Sequence, residues 1–325
     1  MDTVFVSWRA IRYEKLRNLN EGGIGKVSLA LATNGPMKGT LFAVKEFSPD
    51  SSEKEAWRQD FMREMGVLRD CHHPAIVRVF DDGVIGDDRP FFVMEYLPHN
   101  LREAIKENKL DELAKLSVVM QLLSTLDYLA RREPYVVHRD IKPQNIFLKS
   151  ASCVLGDFGL IYHDWTAETK TKSSIPQMAQ MYRTPELVAF HNTGVKPTPA
   201  SDVFQLGLVV AELFTGKNPL RPGGASKPIK LDEIDNISGP LGPSIKTRLE
   251  EMLAIPTGSR LPASRLLPLW MDLYRTLEKR LSTEQVVARL TMQVSRATAK
   301  GPAGSEGTSG SRSRSKPAPP NTPDP

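Results

Sequence analysis

The stretch VVHRDIKPQNIF, Val136 to Phe147, decides how the rest of the chain is read. It sets His138, Arg139, Asp140, Lys142 and Asn145 between two apolar flanks, Val136–Val137 and Ile146–Phe147. Polar groups held between apolar ends in a buried turn are costly unless each finds a partner. Such a cluster is either a well-capped loop or a site held for chemistry. The surrounding sequence has to decide which.

Composition narrows the choice. The chain has 325 residues, 40% of them hydrophobic and 25% charged, which is a globular balance. A chain of this size buries roughly three quarters of its unfolded surface, so one large or two coupled domains need no covalent staples. No apolar run approaches the ~20 residues that span a bilayer, so no membrane span is expected. The opening MDTVFVSWRA carries an acid where a signal peptide is basic, and it has no long apolar region. Cys71 and Cys153 are the only cysteines, which points to a reducing, cytoplasmic setting.

The net charge of +5 is concentrated at one end. Arg296 to Pro325 holds five basic and two acidic residues, so it carries +3 and the remaining 295 residues carry +2. This tail is rich in Gly, Ser and Pro and has no large apolar side chain, so it is expected to be disordered. Its SRSRSK run is suited to weak contact with RNA or an acidic partner, or to accepting phosphate. Elsewhere nothing points to nucleic acid.

From about Tyr13 to Glu95 the apolar runs are short and strand-like, interrupted by one helical pattern, SEKEAWRQDFMREMGVLRD (Ser52–Asp70). From about Leu101 long helical patterns dominate. That order is an α+β layout with a crevice between a sheet-rich and a helical half. Near the end, Ser282 and Gln285 form a capping-box pattern ahead of Val286, Leu290 and Val294, which predicts one more helix starting there.

Two upstream segments carry chemistry. In NLNEGGIGKVSLALA, Gly22, Gly23 and Gly25 precede Val27, and glycines allow backbone N–H groups to approach an anion closely. A Gly-rich hairpin turn has the same composition. Where a G-x-G-x-x-G-x-V pattern takes its first Gly the chain has Asn20, which tolerates positive φ. In LFAVKEF, Lys45 sits mid-strand, where it is either an edge residue pointing to water or a buried cation needing an opposite charge. Glu64, on a helix face shared with Phe61 and Leu68, is the candidate partner; Glu53 and Glu55 have compatible spacing. CHHP, Cys71 to Pro74, looks like a metal set, but adjacent residues cannot all aim at one ion.

Taken with LGDFGL (Leu155–Leu160), the ordered set resembles the eukaryotic-like (Hanks-type) serine/threonine protein kinases, of the kind also found in bacteria. The match to H-R-D-x-K-x-x-N is complete, and the resemblance covers about Tyr13 to Tyr274. It implies a bilobal α+β fold: an extension over 1–12, a small β-rich N-lobe over 13–97, a larger helical C-lobe over 98–275, a C-terminal helix over 276–298 and a disordered tail over 299–325. It also implies ATP and Mg2+ as cofactors and proteins as substrates. Asp140 would orient or accept the hydroxyl proton, and Lys142 would offset charge on the transferring phosphoryl group. Asn145 and Asp157 would hold magnesium, and Lys45, steadied by Glu64, would bind the α- and β-phosphates. The Asn20–Val27 loop would cover the phosphates. Val27 and Ala43 would cover adenine, Met94 would gate its pocket, the backbone of Glu95 and Leu97 would hydrogen-bond it, and Phe147, commonly Leu, would support it.

The resemblance further implies an apolar stack of Leu68, Val79, His138 and Phe158, an anchor at Asp202, and an ion pair between Glu186 and Arg260. Arg139 beside Asp140 implies a phosphate-ordered activation segment, for which Thr169, Thr171, Ser173 and Ser174, with Thr166 nearby, are the candidates. The chain departs from the family at Thr184, usually Ala, and at Ala179, where a Thr usually touches the catalytic Asp and Lys. Lys142 favours Ser/Thr over Tyr specificity. Asn20 and Ala179 leave a pseudokinase or nucleotide-sensing scaffold as the alternative. A small-molecule kinase of the aminoglycoside type fits less well, since such enzymes usually read H-G-D without the following Lys.

Overall fold

A computed structural model describes residues 4–22, 25–49, 54–150, 152–162, 180–194, 196–223, 227–234 and 237–299. Six antiparallel strands open the chain: β1 (Val4–Val6), β2 (Arg12–Gly22), β3 (Gly25–Ala32), β4 (Leu41–Phe47), β5 (Val79–Ile85) and β6 (Arg89–Glu95). Their order in the sheet is β1-β2-β3-β4-β6-β5. The near-continuous apolar run of β4 fits its central place, where Phe42 to Phe47 are all buried.

Residues 1–12, expected as an extension ahead of the small lobe, contribute β1 to its sheet. The two edges then meet, through a bridge between Ser7 and Gly83 and a bond from the Trp8 N–H to the Asp82 carbonyl at 3.0 Å. Closure removes unpaired edge groups that would otherwise face solvent. It needs glycine at position 83, because a Cβ there would lie 2.6 Å from the Phe91 ring and 2.9 Å from the Val6 carbonyl oxygen. Inside, the buried Tyr13 hydroxyl donates to Asp81 at 3.0 Å.

Helix α1 (Lys54–Asp70) presents Phe61, Met65 and Leu68 to the core, where Phe61 meets Phe47 and Phe92 ring to ring. The C-terminal lobe comprises α2 (Leu101–Lys106), α3 (Glu112–Ala130), the hairpin of β7 (Ile146–Lys149) and β8 (Ser152–Leu155), α4 (Pro185–Thr193), α5 (Pro199–Thr215), α6 (Gly242–Met252) and, through Glu278, the first part of α7 (Ala263–Ala299). Among the described residues α3 alone is long and apolar enough to cross a membrane, yet Leu116, Val119, Leu122, Leu123 and Leu126 are packed into the core. Helix α5 starts on Pro199 and ends at Gly216, whose φ of 75° suits the left-handed stop. Every residue from Ser201 to Leu213 is buried, which is the pattern of a helix enclosed on all sides. Each fully buried Leu or Phe contributes about 1.5–3 kcal/mol relative to exposure.

The last helix corrects one expectation. Ser282 is not an N-cap but an interior residue of α7, which begins at Ala263. Capping chemistry signals a start only where the preceding residues cannot continue the helix, and Leu277 to Leu281 are good formers. Val286, the first residue of the helical spacing, is exposed, and the side chains of Leu290 and Val294 lie outside those described. The chain divides into two compact units, Met1–Glu278 and Lys279–Pro325. In the second, the described part is helical through Ala299, with an Arg280–Glu284 pair at 2.9 Å, and residues 300–325 lie outside the described residues.

Candidate active site

The loop after α3 is held through its main chain by α5. Asp202, 2% exposed in the first turn of that helix, accepts the N–H groups of His138 at 2.7 Å and Arg139 at 2.9 Å. These bonds sustain Arg139 at a φ of 70°, a left-handed conformation that a branched side chain avoids. The His138 ring lies edge-on to Phe158 with centroids 4.6 Å apart, and its Nε2 is 3.1 Å from the Gly156 carbonyl. Burial pushes the His138 pKa down to about 4, so the ring is neutral.

Asp140 is the buried carboxylate at the loop's centre. Lys142 Nζ lies 2.7 Å from its Oδ2, and Asn145 Nδ2 donates to Oδ2 and to the Asp140 carbonyl, each at 2.9 Å. Burial pushes the Asp140 pKa up to about 6, against the opposing pull of Lys142. A carboxylate so placed is ionised at neutral pH yet close enough to neutrality to take a proton.

Lys45 is no edge residue. It sits inside the sheet, opposite Val27 on β3 and Phe92 on β6. Its Nζ lies 2.7 and 2.8 Å from the two Glu64 oxygens and 3.2 Å from Asp157 Oδ1. Burial opposes its charge, but the carboxylates of Glu64 and Asp157 outweigh it and hold the pKa above that of an ordinary lysine. Of the other carboxylates at compatible spacing, Glu55 is exposed and Glu53 lies outside the described residues.

The rest of the crevice follows from the strands. Gly22 and Gly25 face each other where β2 turns into β3, and Asn20 is opposite Val27; Gly23 lies outside the described residues. A Cβ on Gly25 would meet the Glu46 carbonyl oxygen at 2.7 Å, so this glycine serves strand approach as well. Ala43 is opposite Met94 on the neighbouring strand. The Glu95 N–H donates to the Arg78 carbonyl at 3.1 Å, and Leu97, two residues on, is packed against the main core. Below, the Phe147 ring lies against Gly156, where a Cβ would approach it to 3.0 Å.

Other expected residues fall as follows. Arg260 Nη1 is 3.0 Å from Glu186 Oε1. Leu68 and Phe158 belong to the central core, the partly buried Val79 packs against it, and the buried His138 ring meets Phe158. Thr166, Thr169, Thr171, Ser173, Ser174 and Ala179 lie outside the described residues. Thr184, the departure from the usual Ala, caps α4: its Oγ1 accepts the Leu187 N–H at 3.2 Å. His73 is a packing residue, with Nε2 3.1 Å from Ser124 and its ring against Tyr128.

Two polar groups were missed in the sequence. Asp60 pairs with Arg63 on α1 and lies in the field of Arg139. Gln205 joins Ile141, Arg139 and Tyr182, and the clue was an amide inside the otherwise apolar run VFQLGLVV.

The donors also fit the divalent ion that the resemblance implies. Asn145 spends its NH2 on Asp140, which turns its amide oxygen the other way. The Gly156 N–H donates to the Asn145 carbonyl at 2.9 Å, setting Asn145 beside Asp157 at the end of the hairpin. Lys45 holds the Asp157 carboxyl below its usual range. An amide oxygen and a carboxylate are hard donors suited to magnesium.

Residues 13–290 match the family described as protein kinase domain. Serine/threonine-protein kinase SSN3 of Gibberella moniliformis is 28% identical over 271 residues, covering 79% of this chain and 57% of that protein. Cyclin-dependent kinase G1 of Arabidopsis thaliana is 31% identical over 248 residues, covering 74% and 38%. Cell division control protein 2 homolog 3 of Trypanosoma brucei brucei is 31% identical over 238 residues, covering 70% of each. The chain thus spans about half the length of the first two relatives. By the matched span and by the residues brought together in the crevice, the chain belongs to the protein kinase family.

Proposed function

We propose that the chain transfers the γ-phosphate of ATP, with magnesium, to Ser or Thr hydroxyls of proteins. The observation that carries this reading is one crevice in which Lys45 is gripped by Glu64 and Asp157 while Asp140 is gripped by Lys142 and Asn145. The first set fixes a cation for phosphates; the second orients a base.

The substrate hydroxyl oxygen forms the new bond to phosphorus, the bond to the β–γ bridging oxygen breaks, and the hydroxyl proton passes to Asp140. With its pKa at about 6, Asp140 is ionised in about nine molecules of ten at pH 7. Lys142, 2.7 Å from the base, places positive charge where the phosphoryl group gains negative charge. Magnesium, held by Asn145 and Asp157, would neutralise the phosphates. Lys45 aligns the α- and β-phosphates, and Glu64 prevents it from swinging away.

Radiolabel transfer from Mg-ATP to a generic basic protein tests this, with Asp140→Asn as the control. The variant should lose about 10²–10⁴-fold in rate while keeping nucleotide binding. Equal turnover by both proteins rules the assignment out. Autophosphorylation is part of the same reading: after incubation with Mg-ATP, mass spectrometry should find phosphate within Thr166–Ser174 in the wild type and none in Asp140→Asn. The two cysteines are free thiols, which supports a cytoplasmic setting.

A further inference from the structure

One buried side chain ties the loop that carries the base to the end of the activation segment. Gln205, on α5, is 2% exposed. Its Oε1 accepts the Ile141 N–H at 3.0 Å, and its Nε2 donates to the Arg139 carbonyl at 2.9 Å and to the Tyr182 carbonyl at 2.8 Å. Both amide hydrogens and the amide oxygen are therefore in use.

Two of these three partners flank Asp140 on either side, so the amide brackets the base through its own peptide groups. The third belongs to Tyr182, which is itself held: its hydroxyl accepts from Arg102 at 2.6 Å and donates to Glu212, and Arg102 pairs with Glu212. Packing does not call for an amide here, since a helix buried on all sides accepts an apolar residue at any position. What calls for it is a set of buried main-chain groups that have to be satisfied.

We infer that Gln205 is a positioning residue: it fixes the orientation of Asp140 and makes that orientation depend on the docked end of the activation segment at Tyr182. The inference rests on the proposed phosphotransfer, and its test separates the two.

The test uses the full chain and compares wild type with Gln205→Leu, which keeps bulk and loses all three bonds. Gln205→Glu keeps the acceptor and loses the donors, and serves if the Leu variant does not fold. Val210→Ala, a core change on the same helix away from these bonds, controls for lost stability. For each protein one measures the melting midpoint, the Kd for Mg-ATP, and kcat and KM across pH. The Gln205 variants should lose about tenfold or more in kcat and shift the acid limb of the pH profile, with the Kd within about threefold of wild type. Val210→Ala should lose stability without either change. Near-wild-type kcat in folded Gln205 variants, or an equal loss and shift in Val210→Ala, overturns the inference. A wild type that turns over no substrate overturns the phosphotransfer reading, and this inference with it.

Discussion

Lowering the pH from 8 to 5 should titrate the proposed base inside the working range of an assay. Burial lifts the Asp140 carboxyl to about 6 despite the ammonium of Lys142 at 2.7 Å. The base is needed in its charged form, so the rate is full above that value and falls as the pH drops through it. About half the molecules are competent at pH 6 and about one in ten at pH 5, an approximately tenfold loss per unit below the limb. Asp202, pushed up to about 7 by burial, titrates in the same window, while His138, at about 4, stays neutral throughout. A second perturbation separates the two carboxylates. Lys142 stabilises the charged form of Asp140, and the groups that act on Asp202 are Arg139 and His138. Removing the ammonium in Lys142→Met should therefore move an Asp140 limb to higher pH and leave an Asp202 limb in place. The assay is kcat/KM for peptide phosphorylation at saturating Mg-ATP, measured in residual activity for the variant. An acid limb below about pH 5 in the wild type, or one that stays fixed in Lys142→Met, would refute the assignment of the base.

Lys45→Met strands the Glu64 carboxylate in the core, and the expected loss is about 3–5 kcal/mol of stability together with nucleotide alignment. Adding Glu64→Gln should restore stability without restoring turnover, and a single variant that melts like wild type would contradict the pairing. Arg260→Ala removes the donors to Ala200 at 2.5 Å and Ala254 at 2.8 Å and the partner of Glu186, so chemical denaturation should show a loss of about 3 kcal/mol or more. A change below about 1 kcal/mol would mean the ion pair is dispensable. Gly83→Ala forces a Cβ against Phe91 and the Val6 carbonyl, and should cost about 1–3 kcal/mol. Unchanged stability there would show that closure of the sheet by β1 contributes nothing.

Local spacing made the chemistry legible and left the supports hidden. Lys45 and Glu64 could be paired in advance because Phe61, Glu64 and Leu68 share one helical face, the face that is buried. Glu55 was a rival only until the helix was oriented, for it lies on the exposed side. Asp140, Lys142 and Asn145 fall within six residues, so one loop contains most of their geometry. The closure of the sheet was illegible because β1 is three residues long, too short for alternation to declare a strand. The start of α7 was misplaced because Ser282 satisfies a local capping rule that the continuing helix overrides. Thr184 read as a departure from a family pattern, when its local role as the cap of α4 was visible in the Pro and Glu that follow it. Gln205 left little trace, since main-chain acceptors have no side-chain signature and its partners lie 23 to 66 residues away.

That difference in legibility has a physical source. Asp202 and Gln205 are one turn apart on α5, and between them they bind the main chain of His138, Arg139 and Ile141. A left-handed non-glycine residue such as Arg139 costs on the order of 1 kcal/mol and persists only where the surroundings over-determine it. Here the surroundings are a helix buried from Ser201 to Leu213, which cannot shift without disturbing the packed core on every side. The catalytic loop therefore takes its shape from α5 and its reactivity from its own side chains. A substitution that leaves HRDIKPQN intact can still displace Asp140 if it alters how α5 is seated. Conversely, the loop sequence transplanted over a helix lacking Asp202 and Gln205 would have the residues of the site without its geometry.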